Sequence, residues 1–530
     1  MGGKLMNAMK RWVNCVVLLT AVMAFAFSFF KWDNQLWIAA WIAPVFLIRF
    51  MRTNKWIIAL VLGFVALELS LGIGFLQMFS RMDMQTMTGN LNPSIIAEGS
   101  VRAGTMFLAL ACLVPFVLDK LLHKRLPNFL SRLVFPASWV TMELIYSFNV
   151  GTLYCLGQSQ ASIPPLVMSS AVLGMHGVSF LIAWLAPLIN DLWEEGWDMK
   201  KLGVSGKVYA ALMALILIFG AMSVVLTKQA EKSVPVAGIV LDAKFEERLY
   251  ASGFSFLDPA VTVAEYFAQL RSPASHLDEV RQKTREAVKA GAKIIVWQEY
   301  ALSLEPAVAD PLLEEMRVLA DEAEVYLLVS YARVLNREEA RAHRVIRNLG
   351  ILFTPDGRKA WEYEKAHPIT GTEDYAVNPG PENIPYLDTP YGRIGQVICF
   401  DMHFPRYMRQ AALDNIDILF SPSLDGLPFT PMATLNHGYR AVENGFTLVR
   451  VTGDGLSAVI DPNYRIWAAQ DTFGQGTDNF YCRVPVISGN TFYSAVGFLF
   501  PFACAFLLIT LVVIACIRIV KQKGAGPFKP

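Results

Sequence analysis

The sequence predicts a polytopic α-helical membrane protein carrying one α/β domain, and three observations lead there. The 530-residue chain is 54% hydrophobic and only 17% charged, with a mean hydropathy of +0.39, outside the range of ordinary water-exposed domains. Its apolar residues gather in long uncharged runs at both ends. Between them, residues 231–485 read as a charged segment of interleaved strands and helices.

The runs are taken in chain order. Residues 12–30, 35–48, 56–79, 103–118, 162–190, 208–227 and 495–517 each approach or exceed the roughly 20 residues a helix needs to cross a bilayer. The stretch 128–149 is aromatic-rich, carries Glu143, and is counted as a further span. Division at 230 and 485 gives an N-terminal membrane domain of about seven helices (1–230), a globular domain (231–485), and a final span with its tail (486–530).

Charge placement orients the spans. Lys4, Lys10 and Arg11 precede the first; Arg49, Arg52 and Lys55 lie between the second and third; Lys120, Lys124, Arg125 and Arg132 follow the fourth; Arg518, Lys521 and Lys523 follow the last. Loops 31–34, 80–101 and 150–161 hold few basic residues, so both termini are expected in the cytoplasm and 231–485 outside. "AFA" at 24–26 also reads as a signal-peptidase site, but a second span begins almost at once and the charge pattern needs the first. The net charge of +1 gives no sign of nucleic acid as a partner. The seven cysteines form no CxxC and no metal-ligand spacing, so neither a disulfide framework nor a zinc site is expected.

Within 231–485, "VPVAGIVLDA" reads as a buried strand, and residues 278–302 as an amphipathic helix, a Gly-containing turn and a second buried strand. "EVYLLVSYARV" and "RNLGILFTPDGRKAWEYE" continue as strands with a hairpin turn at "DGR". "RIGQVICF", "IDILFSPS" and "FTLVRVTGDGLSAVIDPNYRIWAA" add the remainder, giving a layered α/β domain.

Three polar residues stand where apolar strands end: Glu299 after "KIIVWQ", Lys365 after "RKAWEYE", and Cys399 after "RIGQVI". Strand ends at one sheet edge are where side chains converge into a site. A cysteine becomes a nucleophile when a base takes its proton or a cation lowers its pKa; glutamate supplies the base, and lysine the charge that holds a tetrahedral oxyanion. Taken singly, Cys399 also reads as a core residue, and Glu299 and Lys365 as surface or ion-paired residues.

The motifs that contain them carry a resemblance. "VWQEYA", "YEKAHPI" and "VICFDMHFPR" resemble the Glu-Lys-Cys motifs of the nitrilase (carbon-nitrogen hydrolase) superfamily, and "RAVENGFTLVRVTGDGLSAVIDP" is similar to its closing segment. "LGQSQASIPPLVMSSAVLGMHGVSFL" is similar to the stretch before and within the sixth span of the apolipoprotein N-acyltransferase family, whose arrangement of N-terminal spans, nitrilase-like domain and final span this chain resembles throughout. The resemblance implies an α-β-β-α sandwich for 231–485. It also implies that Glu299 is the general base, Lys365 the oxyanion-stabilising lysine and Cys399 the nucleophile. Glu373 falls at the family's second active-site glutamate; Phe400 and Asp401 follow the nucleophile, with Asp in place of the usual Glu, and the Phe400 N–H is an expected oxyanion donor. The chain departs from the family at "WQE" for "WPE", "TGTE" for "PFGE", "VLD" for "QGN", and "SLDGLPF" for the "DAWF" loop.

The implied activity is transfer of an acyl chain from a phospholipid, through a Cys399 thioester, to the N-terminal amine of a diacylglyceryl apolipoprotein. The bacterial inner membrane, a periplasmic catalytic domain, a monomer, no cofactor and no metal are expected. A membrane-tethered amidase or nitrilase with water as acceptor would use the same triad. A transporter or scaffold is disfavoured because the spans carry few ionisable groups, mainly Glu68 and His176. His367, His403 and His437 have no metal-ligand spacing and read as solvated or loop-bonded. Leu424, Leu427, Phe429 and Met432 in "SLDGLPFTPM" read either as core filler or as lining of the acyl-chain entrance; the entrance is expected, with Leu427 and Phe429 as candidate substrate contacts.

Overall fold

A computed structural model of the chain describes residues 2–28, 36–79, 93–225, 230–241, 272, 274–335, 344–370, 373–374, 376–425, 431–472 and 478–524. Before the α/β domain come helices α1 (Gly2–Ser28), α2 (Trp37–Thr53), α3 (Trp56–Phe79), α4 (Pro93–Leu122), α5 (Asn128–Val150), α6 (Met175–Glu194) and α7 (Gly203–Val225). Among the described residues, six helices are long and apolar enough to cross a membrane, five of them in this region and the sixth near the C-terminus. Helix α2 has 17 residues. Helix α5 has 23 but buries Arg132 and Glu143, and packs between α4 and α6.

The apolar run 162–190 is not one helix. Pro164 and Pro165 open a short helical turn ending at Met168, Ser170–Leu173 forms another, and Gly174 breaks the helical path at φ +70 before α6 starts. Proline lacks the N–H a helix interior needs and glycine reaches positive φ without penalty. At the far end of the bundle Arg52 of α2 makes paired bonds to Asp119 of α4 (2.8 and 2.9 Å) and reaches Asp191 of α6 (2.9 Å). Asp191 also accepts from Arg132 of α5 at 2.6 Å, so one group of charges ties four helices together.

The α/β domain is built on two sheets. In the first, β1 (Ser233–Ile239), β2 (Ile294–Trp297), β4 (Tyr326–Val334), β5 (Ile346–Phe353), β6 (Lys359–Glu364) and β13 (Phe480–Pro485) run in the order β13-β1-β2-β4-β5-β6, with β3 (Leu302–Leu304) beside β4. In the second, β7 (Tyr386–Thr389), β8 (Gly392–Gln396), β9 (Ile418–Leu424), β10 (Thr447–Gly453), β11 (Leu456–Ile460) and β12 (Ile466–Asp471) run in the order β12-β11-β10-β9-β8-β7.

Alternation along each strand makes the layers. Ile294 and Val296 pack with Ile418, Phe420, Val449 and Val451 between the sheets. Their neighbours Ile295 and Trp297 pack with Val280 of α8 (Ala274–Lys289) and Met316 of α9 (Pro306–Glu322) on the outer face. On the other side, Leu419, Leu448 and Ile460 meet α10 (Pro405–Leu413) and α11 (Met432–Asn444). The result is an α-β-β-α sandwich.

That outer layer does not stop at the domain. Met408, Tyr439 and Val442 share one hydrophobic cluster with Trp139, Leu166, Val178 and other residues of the membrane helices. Polar contacts fix the seam: Tyr439 donates to the Gly157 carbonyl and Tyr464 to the Ala161 carbonyl, each at 2.8 Å, and Met175 N–H donates to Glu443 Oε1 at 2.8 Å. Gly151, at φ +60, lies so close to His403 that a Cβ there would stand 2.1 Å from the His403 carbonyl oxygen. The final helix, α12 (Leu499–Gly524), returns to α5.

Candidate active site

Glu299, Lys365 and Cys399 all lie just beyond strand ends that open on the same edge of the sandwich. Glu299 follows β2 by two residues, and the next residue, Tyr300, takes φ +51. Lys365 directly follows β6, where its N–H donates to the Asn348 carbonyl at 2.9 Å. Cys399 follows β8 by three residues and opens the 3-10 turn Cys399–His403 at φ +44. Positive φ at a residue bearing a Cβ is uncommon and costs energy that surrounding structure must offset. Two such residues flank this site.

The structure brings Lys365, Glu299 and Glu373 into direct contact. Lys365 Nζ donates to Glu299 Oε1 at 2.9 Å and to Glu373 Oε2 at 2.6 Å. Glu299 Oε1 also accepts from Asn348 Nδ2 at 2.7 Å, and Oε2 from the Leu424 N–H at 3.0 Å. Glu373 accepts from the Tyr300 hydroxyl at 2.9 Å and the Ile369 N–H at 2.9 Å. The Leu424 carbonyl lies 3.9 Å from Cys399 Sγ, so this one backbone position touches both Glu299 and Cys399.

All of these side chains are buried, and electrostatics follow. Burial raises the Glu299 carboxyl above its ordinary range, against the opposing pull of the Lys365 ammonium. Burial alone would lower Lys365, but Glu299 and Glu373 outweigh it and hold the ammonium charged, well above its usual value. Burial, and then the Glu299 charge, push the Cys399 thiol up, while Lys365 and Arg450 act in the other direction. Cys399 is thus a protonated thiol at rest, and needs a base to take its proton before it can attack.

Asp401 sets the turn that carries the sulfur. Its carboxylate accepts from the Ile398 N–H (2.9 Å), the His367 N–H (2.8 Å) and the Tyr363 hydroxyl (2.6 Å). Phe400 is buried against the rings of His403 and Phe404. Of the histidines expected to be solvated or loop-bonded, half-buried His367 is bonded to Asp401 through Nδ1 at 3.2 Å, while His403 and His437 are not solvated. His403 and His437 are buried with their Nε2 atoms 3.2 Å apart, and His437 Nδ1 accepts from Arg450 Nε at 3.1 Å. Burial and nearby arginines lower both, His403 to about 3, so neither carries charge near neutrality.

Leu424 ends β9 and Met432 opens α11, and both are buried, as a core reading of these two positions has them. Leu427 and Phe429 lie outside the described residues. Asn348, Tyr300, Tyr363 and the backbone of Leu424 were not found from sequence. Of these only Asn348, a lone amide in the apolar strand "RNLGILF", leaves a local signal. Away from the site, the donor atoms of Glu143, Cys155 and His176 lie within 4.8 Å of one another, from positions whose spacing gave no warning. Glu143 Oε1 there accepts from Trp139 Nε1 (2.9 Å) and the Leu156 N–H (2.7 Å), bonding α5 to the seam loop.

Comparison with known proteins covers both parts of the chain. Residues 19–188 match the family model of the apolipoprotein N-acyltransferase N-terminal domain, and residues 267–478 match the carbon-nitrogen hydrolase model. The apolipoprotein N-acyltransferase of Geobacter metallireducens is 25% identical over 444 residues, covering 78% of this chain and 79% of that protein. That of Rickettsia typhi is 21% identical over 372 residues, 63% and 66% of the two chains. The N-carbamoylputrescine amidase of Oryza sativa subsp. japonica is 29% identical over 180 residues, 31% of this chain and 58% of its own length. Among solved structures, an amidase from Nesterenkonia sp. aligns at 17% identity and TM-score 0.38, over 49% of this chain and 92% of the amidase.

Proposed function

Because this chain belongs to the apolipoprotein N-acyltransferase family, within the nitrilase superfamily, we propose that it moves an acyl chain from a phospholipid, through a Cys399 thioester, to the α-amine of a diacylglyceryl cysteine at a lipoprotein N-terminus. The observation that carries the reading is the fully buried Lys365 ammonium, bonded to Glu299 and Glu373 beside the strained Cys399 turn.

In the first half-reaction Glu299 takes the Cys399 proton and the thiolate attacks an ester carbonyl of the phospholipid. Lys365 Nζ and the Phe400 N–H face the oxyanion as it forms, in a water-excluded site where fixed charges act strongly. The tetrahedral intermediate collapses, the lysophospholipid oxygen takes the proton from Glu299, and the thioester remains. In the second half, the amine attacks the thioester, Glu299 accepts the amine proton, and Cys399 leaves as thiolate and recovers that proton. Glu373 and Tyr300 keep Lys365 in place through both halves.

Both substrates are bilayer-bound, and a catalytic domain sharing its core with membrane helices meets them at the membrane surface at high effective concentration. The charge pattern of the loops supports a domain on the extracytoplasmic side of a bacterial membrane with both termini in the cytoplasm. Incubation of the purified chain with phospholipid vesicles and a diacylglyceryl-cysteine peptide tests the acceptor. N-acylated peptide and lysophospholipid in equal amounts are expected. Free fatty acid with unmodified peptide would mean that water is the acceptor and the chain is a hydrolase.

A further inference from the structure

Arg450 lies in β10, fully buried, where it has no role in the triad chemistry described above. Its guanidinium makes two bonds of 2.6 Å to the carboxylate of Asp425, one from each terminal nitrogen, a third of 2.6 Å to Thr434 Oγ1, and a fourth through Nε to His437 Nδ1. Asp425 is the residue after Leu424, whose N–H holds Glu299 and whose carbonyl faces Cys399. We propose, resting on the thioester reading, that Arg450 is a positioning residue for that chemistry: it pins the Leu424 backbone through Asp425 and supplies a second fixed positive charge, beside that of Lys365, for the Cys399 thiolate.

Two features support it. A buried arginine is costly unless its charge is paired and its donors are satisfied. Here the pairing partner, Asp425, is the residue directly after Leu424, whose backbone touches both base and nucleophile. The charge also acts across space. Among the charged groups around Cys399, Glu299 and Asp425 disfavour the thiolate, and Lys365 and Arg450 favour it. Arg450 in turn interacts with Asp425, Cys399 and Glu299. His437 and His403, packed on the other side, are neutral and add no charge. Negative charge passes during turnover from Glu299 to sulfur to oxyanion to leaving oxygen, and a cation fixed by Asp425 and Thr434 needs no rearrangement to meet each stage.

The test is the pH profile of Cys399 alkylation by iodoacetamide in the full chain in detergent, read from the mass of the Cys399 peptide. Arg450→Met leaves Asp425 uncompensated, so its profile should move to higher pH and alkylation at pH 7 should slow about tenfold, one unit of thiol pKa. Asp425→Asn leaves Arg450 uncompensated, so its profile should move to lower pH even while acyl transfer falls because the Leu424 backbone has lost its tether. Arg450→Lys keeps the charge and loses the paired geometry; it should hold the wild-type profile and lose transfer. An unshifted profile in folded Arg450→Met, or shifts of the same sign in Arg450→Met and Asp425→Asn, would overturn the inference. If Arg450→Met does not fold, Asp425→Asn decides alone: a downward shift supports it, and no shift or an upward one refutes it. Alkylation needs no acyl donor, so failure here is distinct from failure of wild-type Cys399 to form an acyl adduct, which would refute the thioester reading instead.

Discussion

Lys365 Nζ and Glu299 Oε1 stand 2.9 Å apart with both side chains closed off from water. A buried pair of this kind is weak evidence of stabilisation but strong evidence of what happens when one partner goes, because the other is left charged and unpaired.

Lys365→Met therefore leaves Glu299 and Glu373 facing each other with no cation. The expected outcome is a loss of acyl-enzyme formation of roughly 10²-fold or more, with about 3–5 kcal/mol of stability lost from the uncompensated carboxylates. Single-turnover acylation and thermal unfolding measure the two effects. A variant that acylates at the wild-type rate would remove Lys365 from the chemistry.

The acid side of the rate profile reports Glu299. Burial raises its carboxyl above the ordinary 4.5, so it is protonated, and unable to accept the thiol proton, at pH values where an exposed glutamate is ionised. Acylation should rise with pH along a limb centred above 4.5. Glu299→Gln should abolish the limb together with most of the rate, and His437→Gln should leave the limb where it is, since His437 stays neutral throughout. A limb that moves with His437 would assign the base elsewhere.

How much of this was legible beforehand differs by kind of contact. Glu299, Lys365 and Cys399 each end an apolar strand, but that pattern alone also fits core or ion-paired residues; the motifs around them, through their resemblance to the nitrilase superfamily, singled them out. The partners that orient them were not singled out. Leu424 acts through its backbone, which any residue type would supply, and the Asp425–Arg450 pair joins residues 25 positions apart that share no periodicity. The strands themselves followed from apolar runs and alternation, while their division into two packed sheets was implied only by the family resemblance. The broken helix before α6 did not follow from hydropathy, which sums apolar character without registering chain direction; Pro164, Pro165 and Gly174 were the available signal. The shared core with the membrane helices depends on which faces meet, and no single segment encodes that.

The seam at Gly151 gives a prediction about coupling between the two parts of the chain. Gly151→Ala adds a Cβ 2.1 Å from the His403 carbonyl oxygen at a φ of +60, and His403 closes the turn that Cys399 opens. Unfolding temperature should fall, by the several degrees that about 1–3 kcal/mol of strain produces. Acylation should fall with it although the triad is untouched. Normal stability and rate would mean that the seam yields freely.

The central claim is that Cys399 carries the acyl chain. The most direct measurement is mass spectrometry of the purified chain after incubation with phospholipid and no amine acceptor. An adduct of one acyl chain on the Cys399 peptide is predicted, released as N-acyl product when a diacylglyceryl-cysteine peptide is added, and lacking in Cys399→Ala. An unmodified Cys399 peptide in a preparation that still transfers acyl chains, or undiminished transfer by Cys399→Ala, would contradict the account.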